Sequence, residues 1–198
     1  MSRLIESIKF QDGEFLNLFY HEQRMALSMK TLYGITQNFP LEKKLAQYAP
    51  RQAGLFKCRI VYDDKAHEIT FTPYTPKMIR RIKVIADEEI MYEFKYEDRR
   101  QIDRSFAHRG ECDDILIVKG GMVTDCSFSN IVFRKGKTWF TPASALLKGT
   151  MRQNLIDKNV IQVREIQFRD IPTFETFKII NAMLEFDGPE MAVSDIVF

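Results

Sequence analysis

The sequence predicts a mixed α+β or α/β protein built as two unequal lobes, and three observations carry that expectation. Runs with the two-residue alternation of strands are interleaved with runs at the three-to-four-residue spacing of helices. Asp12-Gly13, Gly120-Gly121 and Lys135-Gly136-Lys137 punctuate those runs as turn signals. Pro73 and Pro76 then interrupt the chain between a shorter first group of elements and a longer second group, because proline fixes the backbone and removes a donor. A chain of 198 residues of this kind buries roughly 70% of its unfolded surface, so it folds without a disulfide or metal staple.

The elements follow in order. Leu4 to Phe10 alternates in part and reads as a strand closed by the Asp12-Gly13 turn. From Tyr20 the spacing becomes helical, with Tyr20, Arg24, Ser28 and Leu32 at i+4 and Met25 and Met29 alongside, and Gly34 as the stop. Leu41 to Tyr48 reads as a short charged helix ended by Pro50. Phe56 to Tyr62 and His67 to Thr72 form two strands around the polar tip Asp63-Asp64-Lys65. After the prolines, Arg81 to Ala86 and Ile90 to Phe94 read as strands, and Asp98 to Arg109 as a helix with Ile102 and Phe106 on one face. A meander of Ile115 to Val118, Met122 to Phe133 and Thr138 to Phe140 precedes a helix opened by Gly149 and running to Asn159. Strands at Val163 to Phe168 and Phe177 to Ala182 complete the pattern.

Composition excludes several classes. Hydrophobic residues at 45% and charged residues at 28% rule out a disordered or collagen-like chain. Lys and Arg number 29 against 27 Asp and Glu, a balance that argues against a nucleic-acid binder. Three cysteines, Cys58, Cys112 and Cys126, make neither a disulfide framework nor a zinc spacing, and His21, His67 and His108 are scattered, so no metal is expected. With no apolar leader and no membrane-length run, the expectation is a soluble, cytoplasmic protein without a membrane partner.

Four features bear on chemistry. Lys95 follows the hydrophobic run at Ile90 to Phe94 and precedes a helix, a place from which a lysine can act as an imine-forming nucleophile; on position alone a solvated strand-edge lysine is the better reading. Thr124 to Asn130 sets Asp125, Ser127, Ser129 and Asn130 into a strand-forming run, which suits a pocket lining or bulge, or else the outer face of an edge strand. Gly149-Thr150-Met151 opens a helix whose first N–H groups can hold an anion, although such residues also serve purely as caps. Arg24 on the first helix offers a fork of donors for a phosphate, and is otherwise an ordinary surface arginine. A lysine, a carboxylate for a pyridine nitrogen and two phosphate-binding elements are together the parts that hold pyridoxal 5'-phosphate.

The run from Lys95 through Asp125-Cys126-Ser127-Phe128-Ser129-Asn130 to Thr141-Pro142 and Leu147-Lys148-Gly149-Thr150-Met151-Arg152 resembles the signature of the class IV aminotransferases, the fold-type IV pyridoxal-phosphate enzymes. The opening from Asp12 to Arg24 and the ending Ile180-Asn181-Ala182-Met183 are similar to aminodeoxychorismate lyases within that family. The resemblance implies a two-lobed α+β fold like that of D-amino acid aminotransferase, with a trimmed small domain at 1–75, a cofactor-binding domain at 76–198, a pocket between the lobes and a homodimer.

By the same resemblance Lys95 would be the imine-forming lysine and the acid/base at the substrate carbon. Asp125 would face the pyridine nitrogen where the family usually has glutamate. Arg24, Thr150 and Met151 would bind the phosphate, Asn181 and Ala182 would border phosphate and substrate, and Ser129 and Asn130 would shape the pocket. The family's Gly-rich, arginine-containing loop after the second small-domain strand is replaced by Asp63 to His67; Arg59 and Lys57 remain nearby in sequence, and Arg59 and Lys9 are the candidate partners for substrate carboxylates. The implied activity is a lyase that converts 4-amino-4-deoxychorismate to 4-aminobenzoate and pyruvate for folate synthesis. Its rivals are a class IV transaminase acting on a D- or branched-chain amino acid, and a homologue that binds the cofactor without turnover.

Overall fold

The computed structural model describes residues 2–198, and the chain divides into two compact units. One runs to Pro76 and takes in Phe94–Asp98; the other comprises Lys77–Glu93 and Arg99–Phe198.

The first unit is an antiparallel sheet with helices on one face. Its strands are β1 (Leu4–Gln11), β2 (Glu14–Phe15), β3 (Leu55–Tyr62) and β4 (His67–Pro73), in the order β2-β1-β3-β4. Asp12 and Gly13 both adopt positive φ (49° and 95°), the geometry of a tight hairpin whose twist matches its strands. Helix α1 (Leu18–Tyr33) ends where Gly34 enters the left-handed region at φ 70°, as the glycine predicts. Helix α2 (Leu41–Leu45) is shorter than the expected Leu41 to Tyr48. Even-numbered positions of β1 and β3 meet the helices: Leu4, Ile8, Cys58, Ile60 and Tyr62 pack with Met25, Met29 and Leu45. Glu6 occupies the same inward row and is fully buried.

The second unit stacks two sheets. One, in the order β13-β5-β6-β7, uses β5 (Ile82–Ala86), β6 (Asp114–Lys119), β7 (Met122–Cys126) and β13 (Ile196–Val197). The other, in the order β10-β9-β8-β11-β12, uses β8 (Asn130–Lys135), β9 (Thr138–Pro142), β10 (Gln162–Arg164), β11 (Thr176–Ile180) and β12 (Met191–Ala192). Ile82, Leu116 and Val123 of the first sheet share a core with Ile131, Phe133, Phe177 and Ile179 of the second. On the opposite face of the second sheet, Val132 and Ile180 pack on Met151 and Leu155 of helix α4 (Thr150–Asp157). The remaining helix, α3 (Arg100–Ala107), buries Ile102 as its spacing predicts.

Four expectations need correction. Ile90 to Phe94 is not a strand: Ile90 and Tyr92 are buried, but no neighbouring strand pairs with the segment. Its backbone bonds go to side chains instead, Met91 N to Gln101 and Ile90 O from Lys119 Nζ. Met122 to Phe133 is two strands in different sheets, because the chain bends at residues 127–129, where Cys126 N bonds Ser129 O at 2.9 Å. The strand expected to reach Ala182 stops at Ile180, since the Asn181 carboxamide accepts from Met183 N and Leu184 N and turns the chain. The one expected at Val163 to Phe168 is limited to β10, and Phe168 already begins a 3-10 turn.

Candidate active site

In the second unit the bend at 127–129 brings several of the expected site residues together. Asp125 ends in a dry site, 5% exposed, with both carboxylate oxygens bonded. Asn130 Nδ2 donates to Oδ1 at 2.6 Å and Leu147 N donates to Oδ2 at 2.9 Å. Burial pushes the Asp125 carboxyl up to about 6, against the opposing pull of Leu147 N–H, the Asn130 amide and the Arg152 charge. An acid poised there changes protonation easily near neutral pH, which suits a partner for a basic heterocyclic nitrogen.

Asn130 links this acid to the start of α4. The same Nδ2 donates to Leu147 O at 2.8 Å, and Asn130 Oδ1 lies 2.1 Å from where a Cβ on residue 149 would sit, so only glycine leaves room for the carboxamide. Gly149 stays extended (ψ 149°) and gives α4 no side-chain cap. The helical ladder begins with Gln153 N to Gly149 O, so the N–H groups of Thr150, Met151 and Arg152 precede it at the positive end of the dipole. Asn181 Nδ2 donates to Phe128 O at 3.3 Å, joining the 181–184 turn to the bend. Ala182 lies in that turn rather than in a strand. Ser129 Oγ is buried with no hydrogen-bond partner among the described residues.

The first unit holds Lys95 and Arg24. Lys95 is half-buried in an irregular segment rather than at a strand end; its carbonyl accepts from Ile5 N at 2.8 Å, and Glu97 N bonds Arg3 O. Glu6 grips Arg24 twice, through Nε at 2.9 Å and Nη2 at 2.5 Å, and His21 Nδ1 lies 2.5 Å from Glu6 Oε2. Burial alone would raise the Glu6 carboxyl, but Arg24 and His21 outweigh it and hold the group down at about 2. His21 is pushed below its ordinary value by burial, and the positive charges of Arg24 and Lys95 act the same way. Arg24 therefore arrives with its plane fixed by a buried carboxylate. Arg59, read as a substrate partner, is engaged by Glu97 at 2.9 Å. Lys9 lies beside Lys57 in the β1–β3 register.

Glu6, Asp114 and Arg152 escaped the sequence reading. Glu6 had a signal, a carboxylate at an inward position of an apolar strand; Arg152, inside the helix-start motif, had none beyond its place. Asp114 Oδ1 accepts from Ile115 N and Ser127 N, and Arg99 donates to Ser127 O at 2.8 Å, so the bend is held from two sides.

In this mixed α+β unit an acid on the bend between two sheets is bridged by an amide to a helix start that Gly149 leaves without a side-chain cap, an arrangement compatible with an anion at the helix terminus. Comparison with known proteins narrows this. Residues 94–186 match the family model described as amino-transferase class IV. An uncharacterized protein of Haemophilus influenzae is 39% identical over 185 residues, covering 92% of this chain and 98% of that one. A crystal structure from Haemophilus somnus, named as a "putative 4-amino-4-deoxychorismate lyase", is 35% identical with a TM-score of 0.86, over 92% of this chain and 97% of that one. A hypothetical aminotransferase of Mycobacterium tuberculosis in its pyridoxal-phosphate-bound form shares the fold at a TM-score of 0.76 and 15% identity, over 92% of this chain and 78% of that one. The chain belongs to the class IV aminotransferase family.

Proposed function

We propose that the protein is a pyridoxal-phosphate-dependent lyase that converts 4-amino-4-deoxychorismate to 4-aminobenzoate and pyruvate. The observation that carries the cofactor is the set Asp125, Asn130 and the Gly149–Thr150 helix start: a buried acid for a ring nitrogen and a helix terminus for a phosphate, tied by one carboxamide. The unsatisfied Ser129 Oγ in the same bend adds a donor that an incoming group can use. These residues fit the cofactor. The choice of lyase is supported by the name carried by the 35%-identical relative.

When bound, the cofactor supplies an electron sink for the carbanion formed at the substrate. In this reading Asp125 holds the proton on the ring nitrogen, and the N–H groups of Thr150 and Met151 bind the phosphate. Arg24 adds charge to that end, aimed by Glu6. Lys95 would hold the cofactor through its Nζ and, as a free amine, would take the proton from the amine-bearing carbon of the substrate. The C–O bond to the enolpyruvyl group breaks as the ring becomes aromatic, and pyruvate leaves after regaining a proton. Arg59 and Lys9 are the partners for substrate carboxylates, which requires Arg59 to exchange Glu97 for the substrate. The two domains fall at 1–75 and 76–198 in the chain, with Phe94–Asp98 packed in the first compact unit; Asn181 and Ala182 border the substrate, and the active form is a cytoplasmic homodimer.

The experiment is pyruvate release from 4-amino-4-deoxychorismate with no amino acceptor present. Wild type is expected to turn over, Lys95→Ala to take up no cofactor that borohydride can trap, and Asp125→Ala to hold it weakly and lose activity. Conversion of the bound cofactor to its amine form by a simple amino acid, with no pyruvate from the chorismate, makes the protein a transaminase instead. Colourless protein that takes up no pyridoxal phosphate refutes the reading.

A further inference from the structure

Arg152 is 4% exposed, yet among the described residues it forms no ion pair. Its guanidinium donates from Nε to Thr141 Oγ1 at 3.2 Å and from Nη2 to Pro142 O at 2.9 Å, and Thr141 Oγ1 in turn donates to Ile131 O at 3.1 Å. A guanidinium taken out of water is costly to keep without a nearby anion, and an apolar residue would fill the space more cheaply. The opposite charge it senses is Asp125, and Asp125 senses it reciprocally. Arg152 also sits in the first turn of α4, two residues after Thr150, with its fork on the last residues of β9. One side chain thus touches the geometry of the helix start and the electrostatics of the acid.

We propose that Arg152 is a positioning residue for the phosphate end of the cofactor site: its fork on Thr141 Oγ1 and Pro142 O sets the first turn of α4 against β9. This rests on the cofactor reading above. The helix start holds a phosphate only if its N–H groups point at one spot, and a planar fork bound to a carbonyl and a hydroxyl fixes the rotation of that turn in a way that a point charge does not. The charge has a separate effect. A cation near a dry acid stabilises its ionised form, so removing it makes protons harder to lose throughout the site.

The test titrates pyridoxal phosphate and phosphate-free pyridoxal against wild type, Arg152→Lys and Arg152→Met by absorbance, with melting of each apoprotein measured alongside. Arg152→Met is expected to weaken pyridoxal phosphate binding by about tenfold to a hundredfold, the scale of a lost charged hydrogen bond, and pyridoxal binding far less. It should also move the pH midpoint of the bound chromophore upward. Arg152→Lys should restore that midpoint but not the preference for the phosphorylated ligand. Should both ligands weaken by the same factor, in step with a lower melting temperature, the arginine merely holds the unit together and the inference fails. Unchanged affinities and midpoints also overturn it. If Arg152→Met does not fold, the lysine variant decides alone: full retention of the phosphate preference overturns the proposal. A wild type that binds no pyridoxal phosphate overturns the cofactor reading, and this inference with it, whereas wild-type binding with insensitive variants overturns this inference only.

Discussion

Glu6 shows how neighbours decide what a buried carboxylate does. It is fully buried and Asp125 nearly so, yet the two move in opposite directions: Glu6 down to about 2, Asp125 up to about 6. The difference is the company, since Glu6 has a guanidinium and an imidazole in contact, whereas Asp125 has an amide, a backbone N–H and only the longer reach of Arg152. A group whose folded value lies below its unfolded one adds stability that is fully present above the unfolded value and disappears as pH falls through the folded one. For Glu6 the window runs from 4.5 down to about 2, and the gap corresponds to about 3 kcal/mol. His21, held below its ordinary value, contributes a slope of the same sign at higher pH. Glu6→Gln should therefore be destabilised by about 3 kcal/mol or more at pH 7, and should lose most of the acid-limb steepness seen in wild type. Denaturant melts at pH 2.5 to 7 measure it; parallel wild-type and mutant curves would remove Glu6 from the ion network. Neither partner of this network was legible as such, because the sequence shows a carboxylate in a strand and an arginine on a helix but not that they face each other.

At the scale of elements, the site depends on places where regular structure stops. The expected strand through Met122 to Phe133 contains Asp125 and Asn130, and the observed bend between β7 and β8 is what brings their side chains to 2.6 Å. An unbroken strand would set residues five apart on opposite faces, because side chains alternate with a period of two. The α4 start makes the same point about packing. Gly149 has an ordinary negative φ of −67°, so alanine there is not a backbone problem; the obstacle is Asn130 Oδ1. Gly149→Ala is expected to push the Asn130 carboxamide off Asp125 and Leu147 and to cost about 1–3 kcal/mol, with weaker uptake of pyridoxal phosphate. A thermal melt paired with a cofactor titration reads both, and an alanine variant equal to wild type in each would show that Asn130 does not need that space. The glycine and the helix after it were readable from sequence. The reason for the glycine was not, since it lies in a residue nineteen positions away.

At the scale of the whole molecule, each compact unit has a hydrophobic core of its own among the described residues. Leu4, Ile8, Met25 and Met29 belong to the first unit, while Phe133 and Phe177, both fully buried, join the two sheets of the second. Phe133→Ala should cost about 3–5 kcal/mol, and hydrogen exchange should show lost protection in β6 to β11 before β1 and β3. Uniform loss across both sheets systems would mean that the cores unfold as one. Sequence alone determined the class of elements, the turns at Asp12-Gly13, Gly34 and Gly136, the ordering of the family's motifs and the residues that carry them, because periodicity, turn chemistry and motif spacing are local properties of a chain. Only the tertiary structure decided that Phe94–Asp98 packs with the first unit, that Arg24 is held by Glu6, and that Asp125 keeps its proton to about pH 6. Those facts follow from desolvation and from contacts between residues distant in sequence, and neither exists until the chain has closed around them.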